Sequence, residues 1–282
     1  FKALVHFCLC FGGLLGAVGW GIALRALGGL ERALQKAGPT QSNELMVLRQ
    51  GLDSLFETTA LLSVEALSDV LDAMGQGVRA AADSDEGTLT LSRLVELCTF
   101  NLGRLLVIWD RVFRIITSVC MSDEHRDLRG PAAASLCRIL AQALRRGALA
   151  MAEHPEAAQE ELLRHMEALL RAPHEDVRAR ICEGLLQVLQ ASGQELHPAA
   201  WGTMLHLVAT AAQVELQRAG LRFSVLKAPD ASQITGKGTA EAGVEGALPQ
   251  MVQVPPSDSR EATSAVLPTV FQLLELLVHD FM

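Results

Sequence analysis

Tyrosine is absent from the 282 residues, and nine Phe and three Trp bring the aromatic share to only 4%. β-Sheets favour aromatic and β-branched side chains, so this scarcity argues against a sheet-built protein. Cations are also scarce: 24 Lys and Arg stand against 32 Asp and Glu, a net charge of −8, with no basic block. Nucleic-acid binding needs clustered positive charge to neutralise phosphates, so no nucleic-acid partner is expected. Charged residues make up 20% and apolar residues 50% of the chain, which excludes disorder for most of it. The six cysteines, Cys8, Cys10, Cys98, Cys120, Cys137 and Cys182, have no metal-site spacing and mostly fall in apolar runs. They read as buried thiols in a reducing, cytoplasmic setting. Lys2 is the only basic residue before the first apolar run, so no signal peptide is read there.

Alanine and leucine dominate what is present, and both favour helices. The stretch 3–24 carries no charge apart from a titratable His6 and is long enough to cross a bilayer. Glycines at 12, 13, 16, 19 and 21 interrupt it, however, and Trp20, Leu24, Leu27, Leu30 and Leu34 recur on one helical face. Two helices joined at 12–19 are expected rather than a membrane span. Further helices follow from the 3.6 period over 42–56, 63–82 and 156–170, with breaks at Pro39, 83–87, 172–174 and Pro198.

The tryptophans supply a repeat length. Trp20, Trp109 and Trp201 lie 89 and 92 residues apart, about two helix pairs of the HEAT or armadillo size of ~40–47 residues each. Each follows a helix and a short break and stands near the start of the next helix, where an indole fills the groove of the pair. A second pair of landmarks, Asp127 with Arg129 and Asp176 with Arg178, opens two helices 49 residues apart. Each Asp suits a helix start, and each Arg is placed to bond across neighbouring repeats. The fold expected is all-α, an α-solenoid of HEAT/armadillo-like helical repeats over 1–227 that resumes over 261–282. The stretch 228–260, rich in Gly and Pro and without an apolar face, reads as a flexible insertion. Phe1 opens the chain and Met282 ends it inside apolar runs, so an interior stretch of a longer protein is expected.

Residues able to carry chemistry do not converge. Gly236-Lys237-Gly238-Thr239 resembles a phosphate loop, but Ala231 occupies the position of its first glycine. His6, Cys8 and Cys10 share a helix on which the two cysteines point to different sides. His125, His154, His165 and His174 stand in turns or on polar faces and read as solvated. The pairs Asp123-Glu124, Glu160-Glu161 and Glu175-Asp176 suit helix starts and solvent faces. No catalytic, cofactor-binding or metal-ligating set is assigned, and binding rather than turnover is expected.

Several stretches resemble one family. The run Leu15-Gly16-Ala17-Val18-Gly19-Trp20 between two helices is similar to a helix, Leu-Gly-x-x-Trp, helix segment. Leu55-Phe56-Glu57-Thr58-Thr59 is similar to a Leu-Phe-Glu-Ser-Ser turn, and Asn101 to Trp109 to an Asn-Leu-x-Arg-x-x-x-Leu-Trp run. The stretch 185–196 with Trp201, and the helix from Phe271 through Asp280, resemble later segments in the same order. The family is the Mon-two (monensin-sensitivity) trafficking scaffolds, related to the large Arf exchange factors of the BIG and GBF type but lacking their catalytic Sec-seven domain. This resemblance implies a non-catalytic cytoplasmic protein, peripheral on Golgi and endosome membranes and acting in vesicle-mediated protein transport. It also implies a Dopey-type partner and Arf-like small GTPases. Gly103, where the family has His or a similar residue, and the long 228–260 stretch depart from the pattern. Another HEAT or armadillo scaffold, of the transport-receptor or phosphatase type, would share the same composition.

Overall fold

A computed structural model describes residues 2–36, 43–81, 83–145, 147–149, 154–220 and 264–281. Among these the chain is all-α, with twelve helices: α1 (Lys2–Phe11), α2 (Gly16–Lys36), α3 (Asn43–Thr58), α4 (Val64–Arg79), α5 (Ser84–Phe100), α6 (Leu105–Cys120), α7 (Arg126–Ala143), α8 (Pro155–Arg164), α9 (Met166–Leu170), α10 (Glu175–Ser192), α11 (Pro198–Arg218) and α12 (Leu267–Asp280). Short 3-10 turns open at residues 12, 59, 102 and 193, spacings of 47, 43 and 91. Those intervals correspond to one, one and two repeats of HEAT length.

The packing runs in two parallel rows. One row stacks α1, α3, α5, α7, α10 and α12 in succession, and the other stacks α2, α4, α6, the α8–α9 pair and α11. The rows are sewn together by α4 on α5, α6 on α7, α9 on α10 and α11 on α12. Each helix therefore packs on near neighbours in the chain, which is the geometry of a helical-repeat solenoid. The apolar spacing behind this is direct: Leu67, Val70, Leu71 and Met74 on α4, and Ile108, Val112, Ile115, Ile116 and Val119 on α6, are all buried in one continuous core. These i, i+3, i+4 series present one face inward.

Local signals place several boundaries. Ser63 caps α4 through the Ala66 amide, and Asp83 caps α5 through the Glu86 amide at 2.7 Å. Residues 84–87 are consequently the first turn of α5 and not a break, which corrects the expectation drawn from their polarity. The first apolar stretch is divided as expected, but α2 starts earlier, at Gly16, whose φ of +60° is one that a side chain resists. No helix among the described residues is long and apolar enough to cross a membrane. The expected helix over 156–170 is two helices meeting at His165. Where α7 and α10 cross, a Cβ on Gly184 would overlap the Cys137 side chain, so glycine sets how closely these helices approach. The stretch 228–260 and the Gly236–Thr239 motif within it lie outside the described residues.

Candidate interaction surface

The three tryptophans stand at the fifth, fifth and fourth residues of α2, α6 and α11, all in the same row and each just beyond a 3-10 turn. Their surroundings differ. Trp20 is buried and donates from Nε1 to the carbonyl of Gly12 at 3.0 Å, closing the first turn against its own helix. Trp109 is buried and donates to His165 Nδ1 at 3.2 Å, while His165 Nε2 lies 3.1 Å from Asp110 Oδ1. Trp201 is only half-buried and packs against Phe281 with the rings tilted by 53°, ring centroids 4.9 Å apart.

Asp127 and Asp176 are the second residues of α7 and α10; the cap positions belong to His125 and His174, and neither helix start has a side-chain cap bond. Arg129, nearly buried on α7, places Nε 3.3 Å from Asp176 Oδ2 on α10 and joins neighbouring repeats as an ion pair. Arg178 turns the other way. Its Nε donates to Glu215 Oε1 on α11 at 2.5 Å, and its Nη1 donates to the carbonyls of Ala172 and Pro173, each at 3.0 Å. Glu215 also accepts from the Ser264 hydroxyl at 2.5 Å, and Glu175 accepts from the Ala265 amide at 2.8 Å. Glu215 looks like any acidic residue of an amphipathic helix in the sequence; only the packing of α11 against α9 and α12 turns it inward.

A second polar ladder holds the 3-10 turns together on the opposite edge. Asn101 donates to the Thr59 hydroxyl at 3.0 Å and to the Leu97 carbonyl at 2.7 Å. Arg104 donates to Asn101 Oδ1 at 2.8 Å, to the Leu62 carbonyl at 2.5 Å and to the Thr59 carbonyl at 2.7 Å. These carbonyls close the 3-10 turn after α3; that of Thr59 also accepts from the Leu62 amide at 3.1 Å, so Arg104 adds to the turn's own bond. Burial pulls the Arg104 guanidinium below its ordinary value. Farther along the same edge, Gln159 on α8 donates to the Glu195 carbonyl at 3.3 Å and accepts from the His197 amide at 2.9 Å.

Five cysteines are buried as expected, and burial pushes the Cys120, Cys137 and Cys182 thiols up to about 12 and raises Cys8 and Cys98 as well. Cys10 is the correction: it is exposed, with Sγ 3.6 Å from His6 Nε2. A two-residue step on a helix turns Cys10 away from the core that holds Cys8. Titration of the native chain with a disulfide reagent at neutral pH is therefore expected to register one fast thiol, with all six reacting once it is unfolded; several fast thiols would contradict the burial. Because thiols that ionise near 9 when unfolded are held protonated when folded, their contribution to stability is full below about pH 9 and falls as the pH rises toward 12.

His165 and His174 are less solvated than their turn positions imply. His165 packs against Phe113 with ring centroids 4.9 Å apart, and His174 Nε2 lies 3.6 Å from Asp123 Oδ1. Among the described residues no three His, Cys, Asp or Glu side chains gather to hold a metal ion. A cleft of about 1290 Å³ opens between the end of α7, the start of α8, the turn at 193–195 and the end of α12, with Gln159, His197 and Asp280 in its wall.

No family model matches the chain, and no solved structure is recognisably similar. Among curated proteins, "Protein MON2 homolog" of Xenopus laevis is 23% identical over 238 residues, 73% of this chain and 13% of that protein. "Protein MON2 homolog" of Drosophila melanogaster is 25% identical over 170 residues, 58% of this chain and 10% of its own length. "Monensin-resistant homolog 2" of Caenorhabditis elegans is 23% identical over 171 residues, 59% of this chain and 10% of that protein. The chain thus spans about a tenth of the length of the curated relatives it matches.

Proposed function

We propose that this helical-repeat chain, similar to Mon-two relatives at 23–25% identity, is a non-catalytic scaffold segment in vesicle-mediated protein transport between Golgi and endosomes. One observation carries the reading: a repeat solenoid, whose form is suited to presenting surface, coincides with a likeness to three Mon-two relatives over 58–73% of the chain. In this reading the parent protein is cytoplasmic and associates peripherally with the membrane. A Dopey-type protein and Arf-like GTPases are its partners, as the family resemblance implies. The rows of helices supply a rigid spacer, and the edges formed by the turns supply the contacts.

The tagged parent protein is expected to give a juxtanuclear or endosomal pattern that disperses when the membrane is washed with high salt or alkaline carbonate. A uniform cytosolic or nuclear-rim pattern would favour a different HEAT-type scaffold. The isolated chain is expected to leave the rate of nucleotide release from an Arf-type GTPase unchanged. Clear acceleration would overturn the non-catalytic reading.

A further inference from the structure

Three successive 3-10 turns abut along one edge. A Cβ on Gly12 would come within 3.3 Å of Leu62 Cδ2, which brings the first turn against the second, and the Asn101 and Arg104 bonds to Thr59 and Leu62 join the second to the third. Several of the exposed side chains along this edge are apolar. Leu14 and Leu61 close the first and second turns and are 83% and 85% exposed, and Val64, Phe100 and Val107 flank them, exposed as well. Leu14 and Leu61 occupy the same third position of their turns. An exposed leucine thus recurs at the equivalent point of the first two turns, while the third turn has Arg104 there, and with Val64, Phe100 and Val107 the two leucines form a grouped apolar patch, unlike the scattered single apolar residues of an ordinary surface.

The charge beside the patch has one sign. The stretches 7–22, 57–69 and 99–110 contain Glu57, Glu65, Asp69 and Asp110 and a single Lys or Arg, Arg104, whose N–H groups bond inward to the second turn. Stacked helices lie about 10 Å apart, so three turns span about 20 Å, the length of a helix of about 14 residues. From this we infer that the turn edge between residues 11 and 107 docks a basic amphipathic helix of a partner protein, its apolar side on Leu14, Leu61 and Phe100 and its lysines or arginines toward Glu57 and Glu65. An anionic membrane would also present an apolar interior, but its headgroups repel the acidic flanks. The inference deepens the scaffold reading by naming the chemistry of one partner.

The test uses the whole 282-residue chain and a fluorescent helical peptide of about 14 residues with leucines on one face and lysines on the other. Anisotropy titration is expected to show saturable binding that weakens about tenfold in Leu14→Ser/Leu61→Ser and by a similar factor in Glu57→Lys/Glu65→Lys. Leu205→Ser, on an exposed part of α11 away from the patch, is expected to bind like the parent. Circular dichroism checks that all variants keep their helicity, which follows from the exposure of the altered side chains. Unchanged binding in either double variant would overturn the inference, as would equal binding of a peptide with glutamates for lysines. It would equally be overturned by vesicles of phosphatidylserine and phosphatidylcholine binding where the peptide does not, or by a dimer in sedimentation velocity that Leu61→Ser abolishes. The imaging outcome is independent of this titration, so failure of the transport reading and failure of the docking surface are told apart.

Discussion

Glu215→Ala is expected to lower the melting temperature more than any other single charge removal, by an amount equivalent to about 3–5 kcal/mol. Arg178 and Glu215 are 4% and 1% exposed, and their side chains meet at 2.5 Å between α10 and α11. With Glu215 gone, the guanidinium keeps its two carbonyl acceptors in the turn at 172–173 but loses its countercharge in a site that water does not reach. The Ser264 hydroxyl loses its acceptor in the same step. The cost is that of an uncompensated buried charge and not the net worth of the pair, so a double replacement with apolar side chains of similar volume, Arg178→Met with Glu215→Leu, should recover much of the loss. Thermal melts of the three chains decide it. A double variant no more stable than Glu215→Ala would show that the carbonyl bonds of Arg178, and not its charge pairing, hold the turn.

How much of this was legible beforehand follows from what repeats. Helices and their two-row stacking leave a periodic trace, because every inward face must recur at three or four residues and every pair at the same interval; the spacing from Trp20 to Trp109 to Trp201 reports that interval within a few residues of the distances between the 3-10 turns. Polar ladders leave no such trace. Asn101, Arg104 and Thr59 are ordinary residues in sequence, and only the approach of two turns makes each the partner of the next. Asp83 and Gly87 look like a linker because caps and linkers draw on the same residue types. The pairing of Arg129 with Asp176 across repeats has the offset expected of such landmarks, whereas Arg178 finds Glu215, 37 residues on, for which no repeat rule prepares. The apolar turn patch leaves no trace for a similar reason: nothing in the residue types of Leu14 and Leu61 tells an outward leucine from an inward one, and only the fold turns both outward.

The tryptophans separate what the repeat dictates from what the local site decides. Equivalent position predicts an equal role, and on that ground alone Trp109→Ala and Trp201→Ala would cost the same. The structure predicts otherwise. Trp109 is 1% exposed, lies in the α6 face that packs against α4, α7 and α8, and anchors His165 at the junction of α8 and α9. Truncation there leaves an indole-sized cavity whose walls belong to several helices, together with an imidazole that loses its donor. A loss of about 3–5 kcal/mol is expected, of the size found for large buried aromatics. Trp201 is half-buried, at the margin of the core and against the ring of Phe281, so the space it leaves is open to water and no closed cavity forms. Its replacement should cost well under half as much. Chemical or thermal unfolding of the two alanine variants side by side measures the difference. Equal losses would mean that the stacking of repeats, and not the enclosure of each indole, sets the energy of these positions.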